Sequence, residues 1–458
     1  MRGRHRSPPG RARACGERDR RTSPRWRGGM TQEKKSPMNS KIVPLAHGCD
    51  AVVIQTLPLF EMMRMRAATT ARRHPVLGFA APDAASAMRW VNQFTHTHRR
   101  LGPEDKEVVS PNNDTVYSNA WLDLSERPVV IESPEMGDRY WTLGLLDAWT
   151  NPFAYVGRRT TGNRPQRTLV HGPAWRGVVP VDITQTIAAP GDDVWLIGRH
   201  LVEDDGEDAA RVRETQAQMR LVRLDGSDAA MRVDTWMDGR DAGTPAADLY
   251  LSITSAALRR NPPMAGECQA WPPAAAELEA SLPAVYERLR TSNQPHDLGG
   301  GWAIPVMVKT HWSDDYLTRA RIARNFIGAL GVEEAMYPTA EVDARGAPLD
   351  GSRRYELRFA PGKGLKVGAF WSLTMYRRSD CLFVANPIHR YSIGDRTPGL
   401  HHDADGSLAL RLQADDPGPG VNWLPAPKGE LFYVVLRLYQ PHADHLELRF
   451  DYPPIQPI

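Results

Sequence analysis

Cysteine is scarce in this chain: four thiols, Cys15, Cys49, Cys268 and Cys381, are scattered over 458 residues. No C-x-x-C pair occurs, so no zinc ribbon, redox pair or disulfide framework follows, and isolated thiols in a reducing compartment are expected. Long apolar runs are missing too. No window approaches the roughly eighteen uninterrupted apolar residues that a membrane-spanning helix needs. Neither Met1 nor Met30 is followed by the apolar stretch of an export signal, so a cytoplasmic location is expected. Phosphate loop, G-x-S-x-G elbow, H-E-x-x-H pair and dinucleotide fingerprint are all absent. The sequence therefore names no cofactor and offers no metal site. His96-Thr97-His98 has the spacing of a metal pair on one strand face, but between a predicted helix and Arg99-Arg100 it reads as an exposed end. His401-His402-Asp403, in a polar loop, reads the same way.

A strong charge imbalance is also lacking. The net charge of +3 is carried by the head, since residues 1–36 hold twelve Lys and Arg against three acids, leaving the remainder at about −6. The rest of the chain thus has no electrostatic footprint for nucleic acid. With almost nothing to bury, residues 1–40 read as a disordered basic head, and Met30 or Met38 as the start of translation.

What is present is ordinary for a globular protein: 41% hydrophobic residues and 24% charged. Gly (37) and Pro (38) are both plentiful, which favours short strands and many turns over a helical bundle. The length suits two domains. From Asp50 an apolar 3.6-residue period predicts a helix kinked at Pro58, and a second is predicted over 83–94. Further helices are expected over 207–224, 274–289 and from Ser313 towards Gly331, the last capped by Ser313. Alternating runs such as Tyr355–Phe359 and Ala369–Tyr376 read as half-buried strands, and the continuous Phe432–Tyr439 as a central strand buried on both sides. The expected fold is β-rich α+β: two β-sandwich or jelly-roll-like domains with helical decoration. The boundaries expected are 45–225 and 311–458, joined by a helical region at 226–310.

The most informative stretch runs from Ser110 to Leu124. Pro111 bars a helix, and Asn112, Asn113 and Asp114 are turn formers whose side chains bond their own backbone. Thr115 and Tyr117 then share one face of a strand. Three amide or carboxylate groups at the mouth of a sheet suit a polar site, and equally a hydrogen-bonded structural corner. Two further clusters stand out. Asp147 and Trp149 leave a hydrophobic strand together, with Arg158 a few residues later. His389–Arg396 offers Arg390, Tyr391 and Arg396 around Asp395, and guanidinium pairs suit bidentate capture of carboxylate or phosphate. An internal Arg–Asp brace is the alternative.

These motifs carry a resemblance. Ser110–Leu124, Arg139-Tyr140-Trp141, Leu145–Asn151 and Gly157–Gly162 resemble the N-terminal half of a bacterial two-domain family. Its halves are known as domains of unknown function 1254 and 1214. Pro348–Gly351, Ala369–Tyr376, Arg390–Thr397, Asp405–Leu408 and Asn422–Pro427 resemble its C-terminal half. Arg377-Arg378, where the family commonly has an acid, and His389, in place of Asn, depart from the pattern. The resemblance implies β-sandwich-like domains and homo-oligomers, and it fixes no reaction.

Two functions are expected from the residues. One is a hydrolase for a small polar or anionic metabolite. Asp114 would be its base, Asn112 and Asn113 orienting donors, Thr115, Tyr117, Asp147, Arg158 and Tyr391 substrate contacts, and Arg390 and Arg396 anion clamps. The other is a non-catalytic carbohydrate- or metabolite-binding oligomer with Trp149, Trp371 and Trp423 as stacking platforms. Neither reading involves nucleic acid or a membrane as partner.

Overall fold

The computed structural model describes residues 48–70, 88–106, 110–234, 243–264, 266–291, 295–310, 312 and 315–458. It is a β-rich α+β protein of two domains. The N-terminal half carries a five-stranded sheet in the order β2 (Thr95–His96), β3 (Thr115–Asp123), β9 (Asp193–Leu201), β5 (Trp141–Asp147) and β6 (Pro152–Gly157). A four-stranded sheet, β10 (Arg220–Val222), β4 (Val129–Ser133), β7 (Gln166–His171) and β8 (Gln185–Ala188), shares one core with it. That core is built by alternation: Ala120 and Leu122 of β3, Leu143 and Leu145 of β5 and Ile131 of β4 all point into it.

The other face of the five-stranded sheet, with Trp121, Trp195 and Ile197, is covered by helices. They are α1 (Cys49–Thr69), α3 (Ala247–Arg260), α4 (Ala275–Thr291) and α5 (Tyr316–Asn325), with α1 touching the other three. Trp121 and Trp195 stack at 5.4 Å across the β3–β9 pair, and Leu57, Phe60 and Met63 of α1 lie over them in the same cluster. A further helix, α2 (Glu207–Gln218), packs Ala209 and Val212 against Val116.

In the C-terminal half a seven-stranded sheet runs β12 (His296–Gly299), β13 (Trp302–Ile304), β15 (Thr339–Ala340), β21 (Phe432–Pro441), β17 (Val367–Arg377) and β18 (Ser392–Gly394), with β14 (Ala335–Met336) also on β21. A four-stranded sheet, β20 (Trp423–Pro425), β19 (Leu408–Gln413), β16 (Tyr355–Phe359) and β22 (Gln456–Pro457), closes over its core face. As its apolar run suggests, β21 is central and almost wholly buried. The period of two divides β17 cleanly. Trp371, Leu373 and Met375 enter the core, while Phe370, Ser372 and Tyr376 face the N-terminal half. The register sets Phe370 opposite Tyr439, Ser372 opposite Arg437 and Tyr376 opposite Tyr433.

Several local expectations are corrected. Of the helix predicted over 83–94, residues 83–87 lie outside the described residues, and Met88–Val91 is strand β1, paired with β11 (Met231–Asp234). Tertiary pairing overrides the helical period there. The helix predicted from Ser313 is capped by Asp315, whose side chain accepts from the Thr318 amide, and it ends at Asn325. Ser313 itself lies outside the described residues. The segment after Gln218 is strand β10, so α2 is shorter than expected. His96 is not an exposed end. It is 6% exposed, and its Nδ1 shares a hydrogen bond of 2.8 Å with Ser118 Oγ, which shares another of 2.9 Å with His200 Nε2. Cys268 and Cys381 are buried and Cys49 is half-buried, and none of the three is in a disulfide.

Candidate functional site

Ser110 adopts a positive φ of 48°, a strained conformation for a residue with a side chain, and this turns the chain into β3. Asn112 then folds back so that its Oδ1 accepts from the Asp114 amide at 2.7 Å, the Asx turn its position implies. Its Nδ2 donates to Thr115 Oγ1 (3.1 Å) and to the Tyr439 hydroxyl (2.9 Å) of the opposite half. Asn113 donates to the Leu101 carbonyl at 2.9 Å and accepts weakly from Ser392 Oγ at 3.4 Å.

Asp114 is 3% exposed and stands where the halves meet. Its Oδ2 accepts from Ser372 Oγ at 2.7 Å and from the Tyr439 hydroxyl at 3.3 Å. Its Oδ1 has one long partner, an Arg396 guanidinium nitrogen at 3.5 Å. The two oxygens are thus unequally engaged, and Oδ1 keeps acceptor capacity. Arg396 lies over the Phe370 ring at 3.9 Å and also faces Asp395, at 4.0 Å. Burial pushes the Asp395 carboxyl up to about 6, against the opposing pull of the Trp371 amide and Arg396. With its side chain still 34% exposed, Asp395 is the reachable acid of the pair.

Around this centre the junction is rich in phenols. Tyr376 donates to the Pro111 carbonyl at 2.6 Å, and Ser110 Oγ shares a bond of 2.7 Å with the Tyr433 hydroxyl. Arg437 donates to the carbonyls of Ser110 (3.0 Å) and Pro111 (3.2 Å) and to Tyr376 (2.6 Å). Tyr140 donates to Glu334, which Arg159 also holds, at 2.7 Å. Burial, followed by the negative charge of Asp114, holds the Tyr439 phenol well above its ordinary range, so it is a donor at neutral pH.

Residues 91–223 match the family described as protein of unknown function (DUF1254), and residues 334–443 match protein of unknown function (DUF1214). Together the two matches span more than half of the chain. The chain belongs to this two-domain family. It is similar to the VPA0106 protein from Vibrio parahaemolyticus, whose crystal structure superposes with a TM-score of 0.61 at 22% identity. That match covers 89% of this chain and 98% of the other, and it speaks for the fold. An uncharacterised protein from Burkholderia cenocepacia is 13% identical with a TM-score of 0.39, over 87% of this chain and 85% of its own. No curated protein matches the chain.

The DUF1254 and DUF1214 halves thus meet at Asp114, and the remaining candidates divide around that point. Asn112 and Arg396 bond Asp114 directly, Thr115 is linked to it through Asn112, and Arg158 ties the halves nearby through the Gly368 carbonyl at 2.7 Å. Tyr117 lies under the Arg199 guanidinium at 5.8 Å. Tyr391 packs against Phe383 at 5.4 Å, among the phenols of Tyr376 and Tyr433. Asp147 is elsewhere. It caps its own loop, accepting from the Trp149 and Asn151 amides at 2.8 and 2.9 Å and from Asn151 Nδ2 at 2.8 Å.

The two expected anion clamps are also separated. Arg390 donates to the Trp423 carbonyl at 2.9 Å and lines a surface pocket with Thr397, His401 and Asn422 that includes none of Asp114's partners. The three indoles read as stacking platforms offer no open face: Trp149, Trp371 and Trp423 are 6%, 6% and 7% exposed. Arg319 covers Trp149 at 5.1 Å, and Trp371 packs inside the C-terminal core. Trp371 sits on the inward phase of β17 and Trp149 in the turn after β5, placements that composition does not reveal.

Ser372, Tyr439, Arg437, Arg199 and Asp395 are the members that sequence reasoning missed as site residues. The first three lie on alternate positions of strands read as half-buried (β17, where only Trp371 was singled out) or as buried on both sides (β21). Asp395 was visible as the acid of its motif. No group of His, Cys, Asp and Glu able to hold a metal ion occurs among the described residues, and no described helix is long and apolar enough to cross a membrane.

Proposed function

We propose that the junction of the two halves is a site for a small polar or anionic molecule and that the reaction there is hydrolytic. Support comes from one observation above the others: a buried carboxylate from the N-terminal half meets a guanidinium and two hydroxyls from the C-terminal half. Asp114 Oδ1 takes the proton of an attacking water, while Ser372 and Tyr439 fix the carboxylate through Oδ2. Asp395, raised by burial to about 6 and so protonated in a minor fraction of molecules at neutral pH, gives a proton to the leaving group. Arg396, between the two acids, stabilises negative charge as it develops.

A binding protein without catalysis is the second reading, and the full set of bonds at Asp114 Oδ2 favours it. The test is to find a stabilising compound in a thermal-shift screen of small anionic and polar metabolites. Turnover of the corresponding esters, amides and lactones is then followed. Asp114→Asn keeps the shape and most of the turn bonding, so it is expected to melt near the parent and lose turnover. A variant that retains full turnover, or one that melts far below the parent, removes Asp114 from catalysis and leaves it a structural corner.

A further inference from the structure

Five arginines are buried among the described residues: Arg64, Arg66, Arg199, Arg319 and Arg437. Three face a carboxylate: Arg64 meets Glu61 at 3.4 Å, Arg66 meets Asp123 at 3.3 Å, and Arg319 meets Glu267 at 3.1 Å. Arg199 and Arg437 do not, because no carboxylate of the described residues lies within 4.0 Å of either guanidinium. A guanidinium cannot shed its proton in a protein, and an unanswered buried charge is costly. The nearby acids are paired elsewhere, Asp114 with Arg396 and Glu334 with Arg159 at 2.7 Å, so the charge of Asp114, which also acts on Arg437 from beyond 4.0 Å, is shared.

Both cations adjoin one phenol. Arg199 donates to the Tyr337 hydroxyl at 2.6 Å, and the Arg437 guanidinium sits 5.5 Å from the centre of the same ring. Each has a buried Nε–H with no acceptor. Tyr337 and Tyr117, which flanks Arg199, are only half-buried, so the phenols rather than the apolar core separate these charges from solvent. Ring faces and hydroxyls ease the charge without neutralising it. An anion would neutralise it.

We propose that Arg199 and Arg437, with Tyr337 between them, hold the oxyanion of a small ligand, a carboxylate or a phosphate. The proposal rests on the reading of the junction as the functional site. It moves the anion clamp from Arg390 and Arg396 to the two arginines that lack an internal counter-ion. Arg396 is left to serve the two acids.

The test uses the full chain at pH 7.5, with sodium acetate and sodium phosphate titrated against sodium chloride at matched ionic strength. One of the two oxyanions is expected to raise the melting temperature saturably, and calorimetry should give a single site. Phosphate alone acting assigns a phosphate ligand, and acetate alone a carboxylate. Arg199→Met keeps the apolar stem. It should weaken the effective anion at least about tenfold, the usual worth of a hydrogen bond to a charged group, while leaving the anion-free melting temperature unchanged or higher. Tyr337→Phe, which removes only the shared hydroxyl, should weaken the same anion less. It keeps the test decisive if Arg199→Met does not fold.

No saturable effect of either anion on the parent overturns the proposal, as does an equal effect on the variant that folds. Asp114→Asn should still bind the anion. If that variant keeps both anion and turnover, the catalytic reading fails while the anion site stands. If the parent turns a substrate over but binds neither probe, the reverse holds.

Discussion

Two buried charge clusters in this protein are built on opposite principles. At the end of the β3–β9 pair, Asp123 and Asp193 face Arg66 and Arg260. Arg260 holds Asp193 through two bonds of 2.9 Å and Asp123 at 2.8 Å, and Arg66 meets the same two acids at 3.3 and 3.5 Å. Asn261 adds a donor to Asp193 at 2.8 Å. Two cations answer two anions. Burial alone would raise the Asp193 carboxyl, but Arg66 and Arg260 outweigh it and hold the group below its ordinary value. At the junction of the halves, by contrast, Arg199 and Arg437 have phenols where the first cluster has acids. A cluster that closes on itself is scaffold, and one left short of negative charge is where a ligand can complete it.

The largest expected effect breaks the closed cluster. Asp193→Asn leaves two guanidiniums sharing one carboxylate around a fully buried position, and should cost about 3–5 kcal/mol. Urea unfolding measures it. A loss below about 1 kcal/mol would mean that the cluster is screened and the contrast with the junction is false. The same experiment on Arg199→Met should give almost no loss, and that difference in response is the comparison in its sharpest form.

Next in size is the response to acid. The N-terminal interior keeps its imidazoles neutral: burial, with the neighbouring histidine next, lowers His96 to about 4 and His200 to about 3. The unfolded chain takes up protons near 6.5, where the folded chain does not. Stability from this pair is therefore complete above pH 6.5 and is lost as pH falls through the window towards 4. Between pH 7 and 5 this pair's loss should be on the order of 3–4 kcal/mol; His445, lowered by burial to about 4, adds to it, and Asp395, whose raised value acts in the opposite sense, partly offsets it. Urea midpoints at the two pH values decide. Equal midpoints would show that the Ser118-bridged pair is hydrated and not buried.

The sequence made some of this legible, for identifiable reasons. The Asn112–Asp114 turn and the strand after it follow from short-range chemistry, because an Asx turn needs only residues two apart. The alternation of β17 and the burial of β21 are likewise local patterns. Which face of β17 meets the other half is not local. Ser372 reaches Asp114 across 258 positions of chain, and no periodicity announces such a partner. Trp149 and Trp371 look alike as candidate platforms; strand phase turns Trp371 inward, while the turn after β5 buries Trp149 beneath Arg319. Asp395 and Arg396 are neighbours in a motif that sequence singled out, but the value of the acid comes from burial against β17.

A smaller effect tests how tightly the junction is held. Tyr439→Phe removes the hydroxyl that donates to Asp114 Oδ2 and accepts from Asn112, leaving Ser372 and Arg396 in place. A loss of about 1–2 kcal/mol is expected, since one buried charged partner loses a donor and keeps two. A loss as large as that of Asp193→Asn would make the junction scaffold of the same kind as the closed cluster.

The smallest expected change carries the most about function. Asp395 is a carboxyl held at about 6 against an ordinary 3.8. Above pH 6 the folded chain therefore keeps an ionised group in a place that disfavours it, and the unfolded chain does not. Asp395→Asn removes that charge and can still accept from the Trp371 amide, which Asp395 meets at 3.2 Å. The variant should melt slightly higher than the parent at pH 7.5. With a third of the side chain exposed, solvent screening limits the gain to about 1 kcal/mol or less. At pH 4 both proteins carry a neutral group in the folded state, and the advantage should vanish. Were Asp395 an ordinary surface acid, the two melting curves would coincide at both pH values. A gain in stability joined to a loss of hydrolytic turnover would identify a residue kept for its chemistry at a cost to the fold, as the unbalanced junction implies and the closed cluster does not.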